Sequence, residues 1–258
     1  MTENKQLLAL NQCYYIEDLT TNLPVFESTN LPFGTPIPKI AKFTAWALNN
    51  KQGHNRYTVK LFQPLPDIID LPFMPQWGPG ADKRPGDCGP ACVAMIVHGR
   101  TEYRPSVDQT ATACGQPLQD PGNRYTNHAQ LIKGANRFGV KLVSRSKYRP
   151  PQLTLDMLIN QAKQDLPSIA LIHYGVLRDE TNAIPGIVHN QDQNYNRGHW
   201  VVFLGITHEG IYIHDPDFWG DRQHDGGNRF VPEVAFEKAL GAVAPGCTVP
   251  YQGLTVSK

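Results

Sequence analysis

Seven prolines fall between residues 63 and 90: Pro64, Pro66, Pro72, Pro75, Pro79, Pro85 and Pro90. Proline fixes φ and has no N–H to donate, so this stretch cannot be a long helix or a central strand. It reads as an extended connector, residues 63–87, between an N-terminal unit of residues 1–62 and a domain of residues 88–258. A chain of 258 residues is long enough for that division and for a sizeable buried core. Glycine and proline, 22 of each, make up roughly a sixth of the chain against about 12% in average usage. A loop-rich globular protein is expected, not a helical bundle.

Charge and hydropathy remove several classes of function. With 24 Lys+Arg against 23 Asp+Glu the net charge is +1, which excludes a nucleic-acid binder that works through bulk charge. Hydrophobic residues at 40% and charged residues at 18% exclude a wholly disordered chain and a sustained coiled coil. Apolar runs such as Trp200 to Ile206 are far short of the ~20 residues needed to span a bilayer. Leu7 to Leu10 is too short for a signal-peptide core, so a cytoplasmic location is the default, with signal-independent release or incorporation into an assembly left open. The five cysteines (Cys13, Cys88, Cys92, Cys114, Cys247) are an odd, irregularly spaced set, and a disulfide framework is not expected.

Residues 1–62 carry short strand-like runs at Cys13 to Ile16, Pro24 to Glu27, Ile40 to Ala47 and Tyr57 to Phe62, with turn signals between them. A small barrel or β-arm is expected there. Beyond residue 88 the pattern changes. Ala91 to Val97 is apolar on every side, as in a helix buried at the centre of a domain. Thr126 to Phe138 has helical spacing with Gly139 as a stop, and Thr154 is placed to cap Leu155 to Lys163. Strands are expected at Ser168 to Tyr174, His199 to Ile206 and Ile211 to Asp215. Helices before strands is an α+β order.

Three segments could carry chemistry. In Gly86-Asp87-Cys88-Gly89-Pro90-Ala91-Cys92, a cysteine sits where a Gly/Pro loop becomes a helix. Free backbone N–H groups and the positive end of the helix dipole favour a thiolate at such a position. The ordinary alternative is a small residue at a helix start. His199 heads an apolar strand in Gly198-His199-Trp200-Val201-Val202, where a capping or core histidine is the commoner fate. Asp215 ends the strand Ile211-Tyr212-Ile213-His214-Asp215-Pro216 and could orient an imidazole, or simply begin a turn. Cys92, one helical turn from Cys88, reads as a small core residue, and His214 points away from the face of Asp215. No second Cys-x-x-Cys pair accompanies Cys88, Cys92 and Cys114, so neither a zinc site nor a cofactor is expected.

Taken together, Asp-Cys-Gly-Pro-Ala-Cys, Gly-His-Trp-Val-Val and the closing Asp-Pro resemble the papain-like cysteine peptidases. They are most similar to the bacteriocin-processing (double-glycine leader) peptidase family and its stand-alone relatives. The resemblance covers roughly residues 70 to 240. It implies a papain-like fold, a helical subdomain plus an antiparallel β subdomain, with Cys88 as nucleophile, His199 as general base and then acid, and Asp215 as the orienting group. It also implies a glutamine before the nucleophile whose amide helps to form the oxyanion hole. Gln76 is the candidate, but it lies twelve residues upstream of Cys88, farther than the family pattern. Trp77 to Gly86 would then loop out, with the Cys88 N–H as a second donor.

The expected activity is hydrolysis of a peptide or amide bond through a thioester acyl-enzyme, with isopeptidase, amidase or transfer variants open. The partner is then a peptide or protein substrate, with residues 1–62 as a possible docking device. The alternative is a non-catalytic papain-like module serving as a binding or structural component of a larger assembly. One geometric expectation is sharp. His199 and Asp215 are an even number of residues apart, so directly opposed positions need an odd loop centred on Thr207. A two-residue turn at His208-Glu209 would set Asp215 opposite Val202, on the wrong face.

Overall fold

The computed structural model describes residues 14–18, 23–27, 57–61, 68–78, 86–116, 125–184, 187, 189–207 and 210–257. The chain divides into two units, Met1–Pro66 and Asp67–Lys258. In the first, β1 (Tyr14–Asp18), β2 (Leu23–Glu27) and β3 (Tyr57–Leu61) form an antiparallel sheet in the order β2-β1-β3. Tyr14 pairs with Leu61 and Asp18 with Tyr57. The expected strand at Ile40 to Ala47 lies outside the described residues.

The second unit is built on α1 (Cys88–Arg100). Every residue from Cys88 to Val97 is buried, which is what an all-round apolar sequence requires. Against it pack α2 (Val107–Cys114) and α3 (His128–Arg137), and α4 (Leu155–Ala162), α5 (Tyr174–Thr181) and α6 (Glu233–Gly241) follow along the chain. Reciprocal capping boxes start α2 (Ser106 with Gln109) and α3 (Asn127 with Gln130), and the Thr154 hydroxyl accepts from the Met157 N–H at the head of α4.

The sheet of this unit comprises β4 (Leu142–Arg145), β5 (Ser168–His173), β6 (Gly198–Ile206), β7 (Ile211–His214), β8 (Arg229–Val231) and β9 (Gln252–Val256), in the order β4-β9-β5-β6-β7-β8. All pairings are antiparallel. Helices and strands interleave along the chain, and the last strand enters the middle of the sheet between β4 and β5. The expected order of helices followed by strands is therefore corrected, although the α+β class stands. Val201, Val202, Phe203 and Leu204 are all buried, so β6 is covered on both faces.

Part of the proline-rich stretch belongs to this unit. Ile68 bridges to Gly205, the Ile69 N–H donates to the Leu204 carbonyl at 2.9 Å, and Ile69 and Leu71 are buried in the core. Residues 68–78, read as connector, thus pack along the sheet and bring Gln76 to the end of β7.

The turn between β6 and β7 corrects a further expectation. Ile206 pairs with Ile211, and the Thr207 N–H donates to Gly210 O at 2.8 Å, as in a tight even turn rather than the expected odd loop. The register then shifts between Phe203 and Gly205, so that Phe203 pairs with Ile213 and Val202 with His214. Leu204 is the extra residue of a β-bulge. Continued by one residue, the shifted register sets Asp215 across from Val201, on the face that His199 shares. Parity lost at the turn is recovered at the bulge, and the Leu204 carbonyl that the bulge releases is the acceptor for Ile69.

Candidate active site

Cys88 is the first residue of α1, His199 the second of β6, and Asp215 follows the last residue of β7. Gly89 lets α1 approach closely: a Cβ there would lie 2.3 Å from Thr126 Oγ1 and 3.1 Å from Trp200 Cδ1. The His199 Nε2–H donates to Asp215 Oδ1 at 2.7 Å, and both side chains are fully buried. The Cys88 thiol lies close enough to act on the charge of the ring. Because Nε2 is committed to Asp215, the nitrogen available to the thiol is Nδ1, which has no hydrogen-bond partner. Edge contacts from the Tyr174 and Tyr195 rings, with centroids at 5.4 and 5.8 Å, fix the imidazole plane.

Burial alone would lower the basicity of His199. The Asp215 charge and hydrogen bond, with the Cys88 thiol, outweigh it and hold the imidazole well above its ordinary value. Burial would likewise raise the Asp215 carboxyl, but His199 and then Arg229 hold it down to about 2. Burial raises the thiols Cys92 and Cys247, and pushes Cys114 up to about 12. All four described cysteines are free thiols. Cys13 lies outside the described residues.

Gln76 is buried beside this cluster. Its N–H donates to Pro216 O at 2.9 Å, and its Nε2 donates to Asp217 Oδ1 at 3.1 Å. Asp217 also accepts from Trp77 Nε1 at 2.7 Å and from Asn190 Nδ2 at 2.9 Å, while its own N–H donates to Asp215 Oδ1 at 3.1 Å. Asp217 thereby ties together the segment before the nucleophile, the loop before β6 and the end of β7. The structure thus brings Cys88, His199 and Asp215 into one cluster and sets Gln76 against Asp217. Residues 79–85, within the stretch expected to loop out, lie outside the described residues.

Two residues of the site were not read from sequence. Asp217 had a signal, in Asp215-Pro216-Asp217, an acid two residues past the candidate orienting group. Arg229, whose Nη1 donates to Asp215 Oδ2 at 2.5 Å, had none, since its short strand is far along the chain and an arginine is ordinarily exposed. Other candidates are structural. The Cys92 thiol donates to Trp200 O inside the core. His214 Nε2 donates to Leu71 O at 2.9 Å while its Nδ1 accepts from the Asn228 N–H at 3.0 Å. Trp77 and Trp219 meet edge to face at 5.9 Å, whereas Trp200 packs in the core. Among the described residues, no group of three or more His, Cys, Asp or Glu is arranged to hold a metal ion, and no helix is long and apolar enough to cross a membrane.

A cysteine at the head of a buried helix, set against an antiparallel sheet that bears a histidine and an aspartate, defines the architecture of a papain-like cysteine peptidase. The Peptidase C39 like family matches residues 68–240, and the chain belongs to that family. Among solved structures, it is similar to a putative C39-like peptidase from Bacillus anthracis (18% identity, 74% of this chain and 97% of that one, TM-score 0.47). It is also similar to a double glycine motif protease from an AMS/PCAT transporter in complex with its leader peptide (16% identity, 74% and 94%, TM-score 0.44). The peptidase domain of Streptococcus ComA is a third (14% identity, 74% and 99%, TM-score 0.43). No curated protein matches the chain.

Proposed function

We propose that the protein hydrolyses a peptide or amide bond in a peptide or protein substrate, with Cys88 as nucleophile, His199 as its proton partner and Asp215 as the group that holds the imidazole. The observation that carries this reading is the His199 ring, bound through Nε2 to a buried carboxylate at 2.7 Å, with its Nδ1 left open and the thiol of a helix N-terminus close enough to act on its charge. The thiol proton passes to Nδ1, leaving a thiolate beside an imidazolium. The sulfur attacks the carbonyl carbon, and the negative charge moves to the carbonyl oxygen. The Cys88 N–H and the Gln76 amide are the donors for that oxygen. His199 gives its proton to the leaving amine as the C–N bond breaks, and a thioester remains. Water then attacks the thioester, His199 takes its proton, and the carboxylic acid and the thiol are regenerated.

Two arguments support Gln76 despite its distance in sequence. It is buried next to the cluster, and Asp217 fixes its amide. The test of the whole reading is turnover of a peptide library by the wild type and by Cys88→Ala. Cleavage that disappears in Cys88→Ala, with the melting temperature unchanged, is the expected result. Equal cleavage by both proteins would overturn it.

A further inference from the structure

Asp215 has two carboxylate oxygens, and the proposed chemistry uses one. Oδ1 faces His199 and also accepts from the Asp217 N–H. Oδ2 accepts from Arg229 Nη1 at 2.5 Å, and the arginine side chain is 2% exposed against 0% for Asp215. A buried guanidinium costs several kcal/mol of lost hydration unless it is matched. Here the match is specific. Nη1 also donates to the Tyr174 hydroxyl at 3.3 Å, and the guanidinium lies over the Tyr174 and Phe218 rings at 5.5 and 5.8 Å. The Tyr174 hydroxyl in turn accepts from the Asn190 N–H at 3.0 Å, so the arginine is fixed from α5, from the loop before β6 and from the segment after β7.

We propose that Arg229 is a positioning residue: it engages the second oxygen of Asp215, so that Asp215 presents His199 with one directed acceptor and less negative charge than a lone carboxylate would. This rests on the reading of His199 as the partner of Cys88. The consequence is a balance. An uncompensated carboxylate would hold the imidazolium so firmly that its proton is slow to reach the leaving amine, whereas a carboxylate shared with Arg229 orients the ring with a weaker hold. The other ionisable groups around this pair are Cys88 and Cys92 on α1, Tyr174 on α5, His189 and Tyr195 before β6, and Asp217 after β7. Arg229 is the cation among them that bonds to Asp215, and its Nη2 lies 3.5 Å from His189 Nδ1.

The pairing makes a prediction that a merely structural role does not. In Asp215→Asn the amide oxygen turns to Arg229, which leaves an NH2 group facing His199 Nε2. A donor there moves the imidazole proton to Nδ1, the nitrogen that must receive the thiol proton. Removing the arginine as well lets the amide turn back. The experiment measures the rate of iodoacetamide labelling of Cys88 at pH 6 in the full chain. Asp215→Asn should slow labelling more than tenfold, and the double variant Asp215→Asn, Arg229→Gln should recover at least fivefold of that loss. Arg229→Lys, which keeps the charge, should stay within about threefold of wild type. In Arg229→Gln the NMR titration midpoint of the His199 ring should rise by about one pH unit, as expected on removing a nearby cation.

A double variant as slow as or slower than Asp215→Asn alone overturns the proposal, as does one that fails to fold when Asp215→Asn folds. An Arg229→Lys protein whose His199 midpoint rises as far as that of Arg229→Gln also overturns it. Failure of the underlying reading looks different: wild-type Cys88 then labels no faster than Cys247, before any arginine variant is compared, and the proposal falls with it.

Discussion

His199 Nε2 lies 2.7 Å from Asp215 Oδ1, although the tight turn joining their strands would by itself set the two side chains on opposite faces of the sheet. The extra residue at Leu204 reconciles these facts. Bulges shift which face a side chain occupies without breaking the sheet, and they occur beside active sites for that reason. The same bulge frees the Leu204 carbonyl for Ile69, which anchors the segment leading to Gln76.

That anchoring makes Asp217 a test of the oxyanion assignment. Asp217→Ala removes the acceptor for Gln76 Nε2, Trp77 Nε1 and Asn190 Nδ2 together. Loss of one oxyanion donor costs about 10²–10³ in kcat. The expected result is a fall in kcat of about that size with a small change in KM, while iodoacetamide labelling of Cys88, which forms no oxyanion, stays within about threefold. Labelling that falls in parallel with kcat would show that Asp217 acts through the thiol environment instead.

Gly226 buttresses Asp215 from the other side. Its carbonyl accepts from the Asp215 N–H at 2.8 Å, and a Cβ on it would lie 1.8 Å from the Asp215 carbonyl oxygen and 2.9 Å from Phe218 Cδ2. Gly226→Ala should lower stability by about 1–3 kcal/mol, as overpacking does, and slow Cys88 labelling at least tenfold. Gly139→Ala is the control. Its φ of 80° makes the substitution cost about 1–2 kcal/mol, but no atom lies within 4 Å of the added Cβ, so labelling should be unchanged. Equal effects of the two substitutions on labelling, measured with denaturation midpoints alongside, would separate Gly226 from the site.

How far this site was legible in the sequence depended on the range of the interaction. Cys88, His199 and Asp215 each stand at the end of an element with a clear local signal: a Gly/Pro loop before an apolar helix, a polar loop before an apolar strand, a proline after a strand. The helix starting at Thr154 was legible because its cap is local, and the capping box of Ser106 and Gln109 would have revealed α2 by the same rule. The bulge at Leu204 was not legible, because nothing in Trp200 to Ile206 distinguishes a regular strand from one with an extra residue. Its cause lies in the partner strands and in Ile69. The place of β9 between β4 and β5, and of Arg229 against Asp215, are long-range pairings with no periodic trace in the chain.

Two histidines, His214 buried and His128 half-buried, contribute most to the acid limit of the fold. His214 and His128 are both pushed down to about 4, by burial first, and His214 Nδ1 already accepts a backbone N–H. An unfolded histidine takes its proton near pH 6.5, so between about 6.5 and 4 the unfolded chain binds protons that the folded one refuses. Stability should therefore fall through that window, by up to about 1.4 kcal/mol per pH unit for each histidine. Asp215, held down to about 2, adds a further loss below the ordinary carboxylate range. Raised Asp217 favours the fold above that range, as pH drops towards 3.8, and raised His199 favours it as pH drops towards 6.5. His214→Gln can donate to Leu71 O and accept from the Asn228 N–H without titrating. Urea midpoints at pH 7 and 4.5 should then differ by less than in wild type. An unchanged difference would remove His214 from the account.

The pairing of Cys88 with His199 is tested most directly by limiting iodoacetamide at pH 6, followed by peptide mapping. An ordinary thiol, with a pKa near 8.5, is well under about 1% ionised at that pH. Cys247 is the natural reference, since it is half-buried while Cys88, Cys92 and Cys114 are buried. Cys88 is only 1% exposed, so access works against it and any preference for it must come from chemistry. The account predicts label on Cys88 ahead of Cys247 by at least tenfold, and a drop of at least tenfold at Cys88 in His199→Ala. Label that favours Cys247, or a rate at Cys88 that His199→Ala leaves unchanged, would contradict it.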